Sequence, residues 1–111
     1  MLKHEFGIMD TDPSASVRYD DYEPEKYHCI SIGDDTIEFL LWQLKNIYTY
    51  WHTLKHPSNG LAYYGVTLIP PKSLTDFKDI LEKQNNFAHE PLLSLIQKAL
   101  CEDKYIIHFG I

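Results

Sequence analysis

The sequence predicts a single α+β domain, spanning residues 1–111, in which helices pack on one face of one sheet. The composition is that of a globular chain, with 44% apolar and 23% charged residues at a common domain length. Strand-like and helix-like apolar patterns also alternate along the chain. The predicted order is strand, strand, helix, strand, helix, helix, strand. This order gives a layer of about four strands.

Four segments have the pattern of strands. In the first, Phe6 and Ile8 alternate with Glu5 and Gly7, as expected of a strand with two different faces. The other three are short, apolar and rich in β-branched or aromatic side chains. We expect the third strand to lie inside the sheet. The four segments are residues 2–9, 27–32, 61–69 and 104–111.

Three segments have the pattern of helices. Asp35 followed by Glu38 matches a helix N-cap and its reciprocal partner. Ser73 followed by Asp76 repeats that pattern at the second helix, and Pro91 suits the first turn of the third. The sequence therefore predicts the start of each helix as well as its presence.

The length of the first helix is open. Apolar residues keep three-four spacing through residues 37–54, which predicts one long helix. Residues 48–53 also have strong strand propensity, and Asn59 and Gly60 form a turn dipeptide, so a hairpin is the alternative. We favour the long helix because the spacing continues in phase across Ile47.

Residues 10–26, here called the acidic segment, lose periodicity and predict a long loop. Loops of this length in a compact domain are often functional. Tyrosine is common at binding hot spots, and carboxylates around it attract basic partners. A solvated loop with its tyrosines folded back on the core is the main alternative, and a calcium loop does not match the spacing. The predicted partner-binding residues are Tyr19, Asp20, Asp21, Tyr22, Glu23 and Tyr27.

Charge narrows the class of partner. Sixteen acidic and ten basic residues give a net charge of −6, which disfavours nucleic acid and anionic membranes. A cationic protein fits better. The chain shows no signal-peptide pattern or membrane-length apolar run, so we expect a cytoplasmic protein without cofactor or metal. Cys29 and Cys101 lie within apolar patterns and are predicted to be buried free thiols.

Histidines are the other chemical candidates. His52 and His56 would share a helix face, but no third zinc ligand follows at a suitable spacing. His4, His28 and His108 fall in three predicted strands and could converge on one sheet face. They predict polar side chains at the rim of the core, or, as an alternative, a small metal-dependent or acid/base enzyme that uses carboxylates of the acidic segment. No catalytic motif occurs, so we expect no enzyme.

One further stretch has a family likeness. Residues 61–81, LAYYGVTLIPPKSLTDFKDIL, run from a strand through Ile-Pro-Pro into a Ser-Leu helix start. Together with the size and charge of the chain, this stretch resembles the immunity proteins of bacterial polymorphic-toxin systems. The resemblance implies a non-catalytic protein that binds and neutralises a cognate toxin, for example a cationic nuclease. It assigns no functional residue. Homo-oligomerisation through Tyr63, Tyr64 and an exposed last strand is a further possibility.

Overall fold

Six strands pair into one open antiparallel sheet in the computed structural model, which describes residues 2–111. Three α-helices and two 3-10 helices (Pro24–Tyr27 and Phe87–His89) complete this part of the chain. The α+β class is confirmed, but the sheet has six strands instead of about four. The strands are β1 (Lys3–Ile8), β2 (Ile30–Gly33), β3 (Tyr48–Trp51), β4 (Pro57–Asn59), β5 (Val66–Ile69) and β6 (Ile106–Phe109), and the helices are α1 (Asp34–Leu44), α2 (Pro71–Gln84) and α3 (Glu90–Glu102).

The strand order places the last strand inside the sheet. The order is β2-β1-β6-β5-β3-β4, with every neighbouring pair antiparallel. His108 of β6 lies opposite Phe6 of β1 on one side and Thr67 of β5 on the other. The expectation that β5 is an inner strand is confirmed. The suggestion that the last strand offers an edge to a second copy is wrong, because both of its edges are already paired.

The predicted long helix is wrong. α1 ends at Leu44, and residues 48–51 form β3, which pairs with both β4 and β5. Thr49 Oγ1 and Trp51 Nε1 both donate hydrogen bonds to the carbonyl of Gly60 and so hold this hairpin closed. Pairing on two sides therefore overrides the helical spacing. The hairpin alternative gives the right strand, but the chain turns at residues 52–56 and not at Asn59.

Two of the three predicted helix starts are displaced. α1 begins at Asp34, so Asp35 lies inside the first turn, where its Oδ1 accepts a hydrogen bond from the amide of Thr36. Ser73 also lies inside its helix, α2, and its Oγ donates to the carbonyl of Tyr48, 2.6 Å away. Pro91 is in the first turn of α3, as predicted. Within residues 2–111, no helix is both long and apolar enough to cross a membrane.

The sheet is covered differently on its two faces. All three helices pack on one face, as predicted, around Phe6, Ile69 and Ile106. The other face carries a second apolar cluster made of Met9, Val66, Leu68, Ile107 and Phe109. Partly buried side chains cover this second cluster, and two of them, Tyr19 and Tyr27, come from the acidic segment and its end. The chain between β1 and β2 therefore covers the face of the sheet on which no α-helix packs.

Gly7 is where this cover comes closest to the sheet. A Cβ atom at Gly7 would lie 2.7 Å from the Tyr27 carbonyl oxygen and 2.7 Å from Cys29 Sγ. We therefore expect Gly7→Ala to lower the free energy of unfolding by about 1–3 kcal/mol, as overpacking does elsewhere. Gly33→Ala is the matched control, because its Cβ would meet only the Asp35 side chain. Urea unfolding measures both, and equal losses would contradict the close packing inferred at Gly7.

Candidate functional site

The acidic segment is fixed to the second face of the sheet by specific bonds. The Tyr19 amide donates to the His52 carbonyl at 2.7 Å, and the Tyr19 hydroxyl accepts from the Ser14 amide at 3.0 Å. The Tyr27 ring is half-buried, 6.1 Å from the ring of Phe109, and burial raises its pKa. Tyr19 and Tyr27 thus pack against the second cluster. They have less surface left for a partner than a free loop would give them.

Tyr22 is the tyrosine of the segment that faces outward. Its side chain is 60% exposed, and its ring packs edge-on against Phe109 at 5.5 Å. Its hydroxyl donates a hydrogen bond to the carboxylate of Glu5. This bond, followed by burial, raises the pKa of Tyr22 to about 12. Tyr22 is therefore held in place at its tip and one edge while much of its surface stays open.

Most carboxylates of the segment remain available. Asp20 is engaged, with Arg18 Nε and His52 Nδ1 each 2.7 Å from one of its oxygens. Asp10 lies 3.8 Å from Lys104 Nζ. The other four form no ion pair within the part of the chain that the structure describes; they are Asp12, Asp21, Glu23 and Glu25. Exposed, unpaired charges of one sign create a field that attracts cations.

A cleft of about 490 Å³ opens beside Tyr22. We call it the Glu5 cleft. Its lining joins the acidic segment to the ends of β1 and β6 and to the residues just before β5. The lining includes Leu2, Glu5, Asp20, Tyr22, Tyr64 and Phe109. The structure thus brings Asp20 and Tyr22 to one concave site, while Asp21 and Glu23 are exposed outside this lining.

The sequence pattern alone missed Glu5. Glu5 is only 7% exposed, on the second face of β1 between Ser31 of β2 and Phe109 of β6. Alternation in β1 already places it on the face opposite Phe6, but only the cover over that face makes its position unusual. A charged side chain at such a position is rare without a partner.

An exposed aromatic pair on α1 was also missed. Phe39 and Trp42 are 80% and 73% exposed, one turn apart, and Lys45 Nζ lies 3.2 Å from the centroid of the Trp42 ring. Asp35 and Glu38 fall on the same helical face by their spacing. The sequence contained a signal for this pair, since Phe39 and Trp42 are large aromatic residues that fall outside the buried stripe of α1. This face is a second candidate binding surface.

The histidines form a buried hydrogen-bond chain on the helix side of the sheet. His4 Nδ1 lies 2.9 Å from His108 Nε2, and His4 Nε2 lies 2.8 Å from Asp34 Oδ1. His108 Nδ1 lies 3.2 Å from Thr67 Oγ1, and the Tyr63 hydroxyl donates to Asp34 at 2.6 Å. Both imidazoles are fully buried. Convergence of His4 and His108 is thus observed.

One proton on each imidazole satisfies the whole chain. With Asp34 ionised, His4 Nε2 donates to it, and His4 Nδ1 is left to accept from His108 Nε2. His108 Nδ1 then accepts from the Thr67 hydroxyl, which itself accepts from the Ala62 amide. Hydrogen bonds from Tyr63 and then His4 lower the pKa of Asp34, while burial and then His4 hold the pKa of His108 well below its usual value.

Other predicted residues lie elsewhere. His28 is not in a strand; it is exposed, has a left-handed φ of 50° and ends the first 3-10 helix. His52 has a left-handed φ of 65° in the β3–β4 turn, so His52 and His56 do not share a helix face. Cys29 and Cys101 are free, but Cys29 is only half-buried and Cys101 is exposed.

Known proteins give no further guide. Neither a family model, a curated protein nor a solved structure matches the chain. The resemblance to immunity proteins therefore remains an expectation. Within residues 2–111, no group of three or more His, Cys, Asp or Glu side chains is arranged to hold a metal ion.

The buried His108 predicts a pH dependence of stability. Because its pKa is lowered on folding, the unfolded chain binds an extra proton once the pH falls below about 6.5, the unfolded value. Stability should therefore be full above that pH and decline toward about pH 5, with a slope approaching about 1.4 kcal/mol per pH unit. His108→Gln should reduce this slope, measured by urea unfolding at several pH values. His28→Asn, at an exposed left-handed site, is the control, and equal slopes for wild type and His108→Gln would refute this assignment.

Proposed function

We propose that this protein binds a cationic protein through the acidic segment and the Glu5 cleft, without catalysing a reaction. One observation carries the proposal: the segment is bonded to the sheet, yet it presents Tyr22 and unpaired carboxylates to solvent. Because these bonds already fix the acidic segment, the segment loses little conformational entropy when a partner binds. Unpaired acids speed the encounter with a basic surface and set its salt dependence.

An immunity protein is the concrete form of this proposal. The resemblance of residues 61–81 to immunity proteins supplies the role, and the acidic surface supplies a fit to a basic toxin such as a nuclease. Residues 61–81 comprise residues 61–65 before β5, β5 itself and most of α2. They contribute Tyr64 to the Glu5 cleft. In this role the protein would occupy the toxin's basic surface and keep its substrate away.

The enzyme alternative is less well supported. His4 and His108 are completely buried, so their nitrogens offer no surface to a substrate. They bond to each other, Asp34 and Thr67, and not to carboxylates of the acidic segment. His28 lies apart from both. The geometry fits a polar group in the core whose hydrogen bonds are satisfied.

The product of the adjacent gene is the first partner to test, by co-expression and by relief of its toxicity. Asp20→Asn, Asp21→Asn and Tyr22→Ala together should lower the affinity for a partner confirmed in this way by about 100-fold, since a hot-spot tyrosine and two steering charges are lost. Binding kinetics by surface plasmon resonance measure the effect. Raising the salt from about 50 mM to about 300 mM should slow association of the wild type more than of the triple variant.

The matched comparison is Phe39→Ser with Trp42→Ser on α1. If the acidic segment is the binding surface, this double variant should bind like the wild type. Loss of binding in the double variant and retention in the triple variant would place the partner on α1 and overturn the role of the segment. Failure of the adjacent gene product to form a complex or to be neutralised would count against the immunity role.

A further inference from the structure

Glu5 stands in an unusual electrostatic position. It is a carboxylate with 7% exposure, set between two neighbouring strands and under the acidic segment. Burial of an ionised carboxylate is costly unless a cation or several hydrogen bonds compensate it. Because β1 is an inner strand, its backbone cannot move to expose the side chain further. Compensation beyond the neighbouring side chains must come from water in the open cleft or from a ligand that takes its place.

The protein itself supplies only part of that compensation. The Tyr22 hydroxyl donates to Oε1 of Glu5, and Oε2 receives no hydrogen bond from any side chain or amide within residues 2–111. Among these residues no Lys, Arg or His nitrogen forms an ion pair with Glu5. Lys3 lines the same cleft but is exposed, with its ammonium free to stay in water. Glu5 also acts on the neighbouring thiol of Cys29. Burial, and then the negative charge of Glu5, raise the pKa of Cys29 to about 12.

The surroundings of Glu5 suit one kind of cation. Aromatic rings of Tyr22, Tyr64 and Phe109 line the cleft whose wall holds Glu5. Tyr64 is 80% exposed and has its ring packed edge-on against Tyr63 at 4.9 Å. A guanidinium group stacks on aromatic faces and donates several hydrogen bonds to a carboxylate, and it loses hydration more easily than an ammonium. The cleft thus combines the faces of aromatic rings with a free hydrogen-bond acceptor, Oε2 of Glu5.

We infer that the Glu5 cleft receives an arginine side chain of the protein partner. The guanidinium would donate to Oε2 of Glu5 and lie against the rings of Tyr22 and Tyr64, while Tyr22 keeps its bond to Oε1. This inference rests on the proposed function and names the group that is recognised. In this arrangement the cleft binds a single arginine of the partner, while the outer carboxylates attract the partner at longer range.

A small probe tests the cleft without any partner. N-acetyl-arginine amide carries the guanidinium as its only charge, and N-acetyl-citrulline amide is its neutral counterpart of the same shape. Titrated into the full chain and followed by NMR, the arginine probe should shift the amides of Glu5, Gly65 and Gly110 in a saturable way. The citrulline probe should not. Glu5→Gln should weaken the arginine probe about tenfold or more, because a charge-assisted bond becomes a neutral one.

Three further variants keep the test independent of folding. Tyr64→Ala changes an exposed ring and should weaken the arginine probe about threefold to tenfold. Lys3→Gln removes a competing positive charge and should strengthen it. Asp79→Asn changes the net charge as Glu5→Gln does, but Asp79 is an exposed residue of α2 outside both candidate surfaces, so this variant should leave binding unchanged. Dispersed amide spectra confirm that each variant is folded.

The outcomes separate this inference from the proposed function. Equal probe affinity in Glu5→Gln and wild type, or chemical shifts that never saturate, would overturn the inference that the cleft binds arginine. If a basic partner binds wild type and Glu5→Gln equally, the inference fails while the proposed function stands. If the probe binds as expected but the Asp20, Asp21 and Tyr22 triple variant holds a confirmed partner as tightly as wild type, the cleft binds arginine, but its use by that partner and the role of the acidic segment both fail.

Discussion

The architecture depends on one constraint: the inner strands β5 and β6 carry apolar side chains on both faces. Ile69 and Ile106 pack against the helices, while Leu68 and Phe109 lie on the other side. Two layers of helices would cover both faces, but the helices all pack on one. The connection from β1 to β2 must therefore cover the second face, and its tyrosines do so. The acidic segment is thus part of the fold before it is part of any site.

The helix side has its own difficulty, since two imidazoles lie in the middle of an apolar layer. His4 and His108 are tolerated because each of their nitrogens has a partner, from Asp34 at one end to Thr67 at the other. Tyr63 joins this chain through Asp34, and its neighbour Tyr64 lines the Glu5 cleft. Because Tyr63 and Tyr64 are adjacent in the chain, the backbone connects the buried hydrogen-bond chain directly to the proposed binding surface.

Local patterns predicted what local forces decide. Alternation predicted β1, Pro91 predicted the start of α3, and the mixture of acids with tyrosines predicted the long segment. The sequence could not show that residues 48–51 would pair on two sides, because that depends on strands distant in the chain. For the same reason it could not separate Tyr19 from Tyr22, whose difference arises from contacts with the sheet. Burial of Glu5 also depends on distant neighbours, namely Ser31 and Phe109.

The outer strand β4 has a consequence for how any partner can attach. It has three residues and begins with Pro57, which lacks an amide hydrogen. A visiting chain therefore finds little backbone to pair with there, and generic strand addition is discouraged. At the opposite edge, β2 has four residues and runs directly into α1. Discrimination between partners would then depend on side-chain contacts and not on backbone pairing. Two proteins with this same sheet would therefore bind different partners if their surface side chains differed.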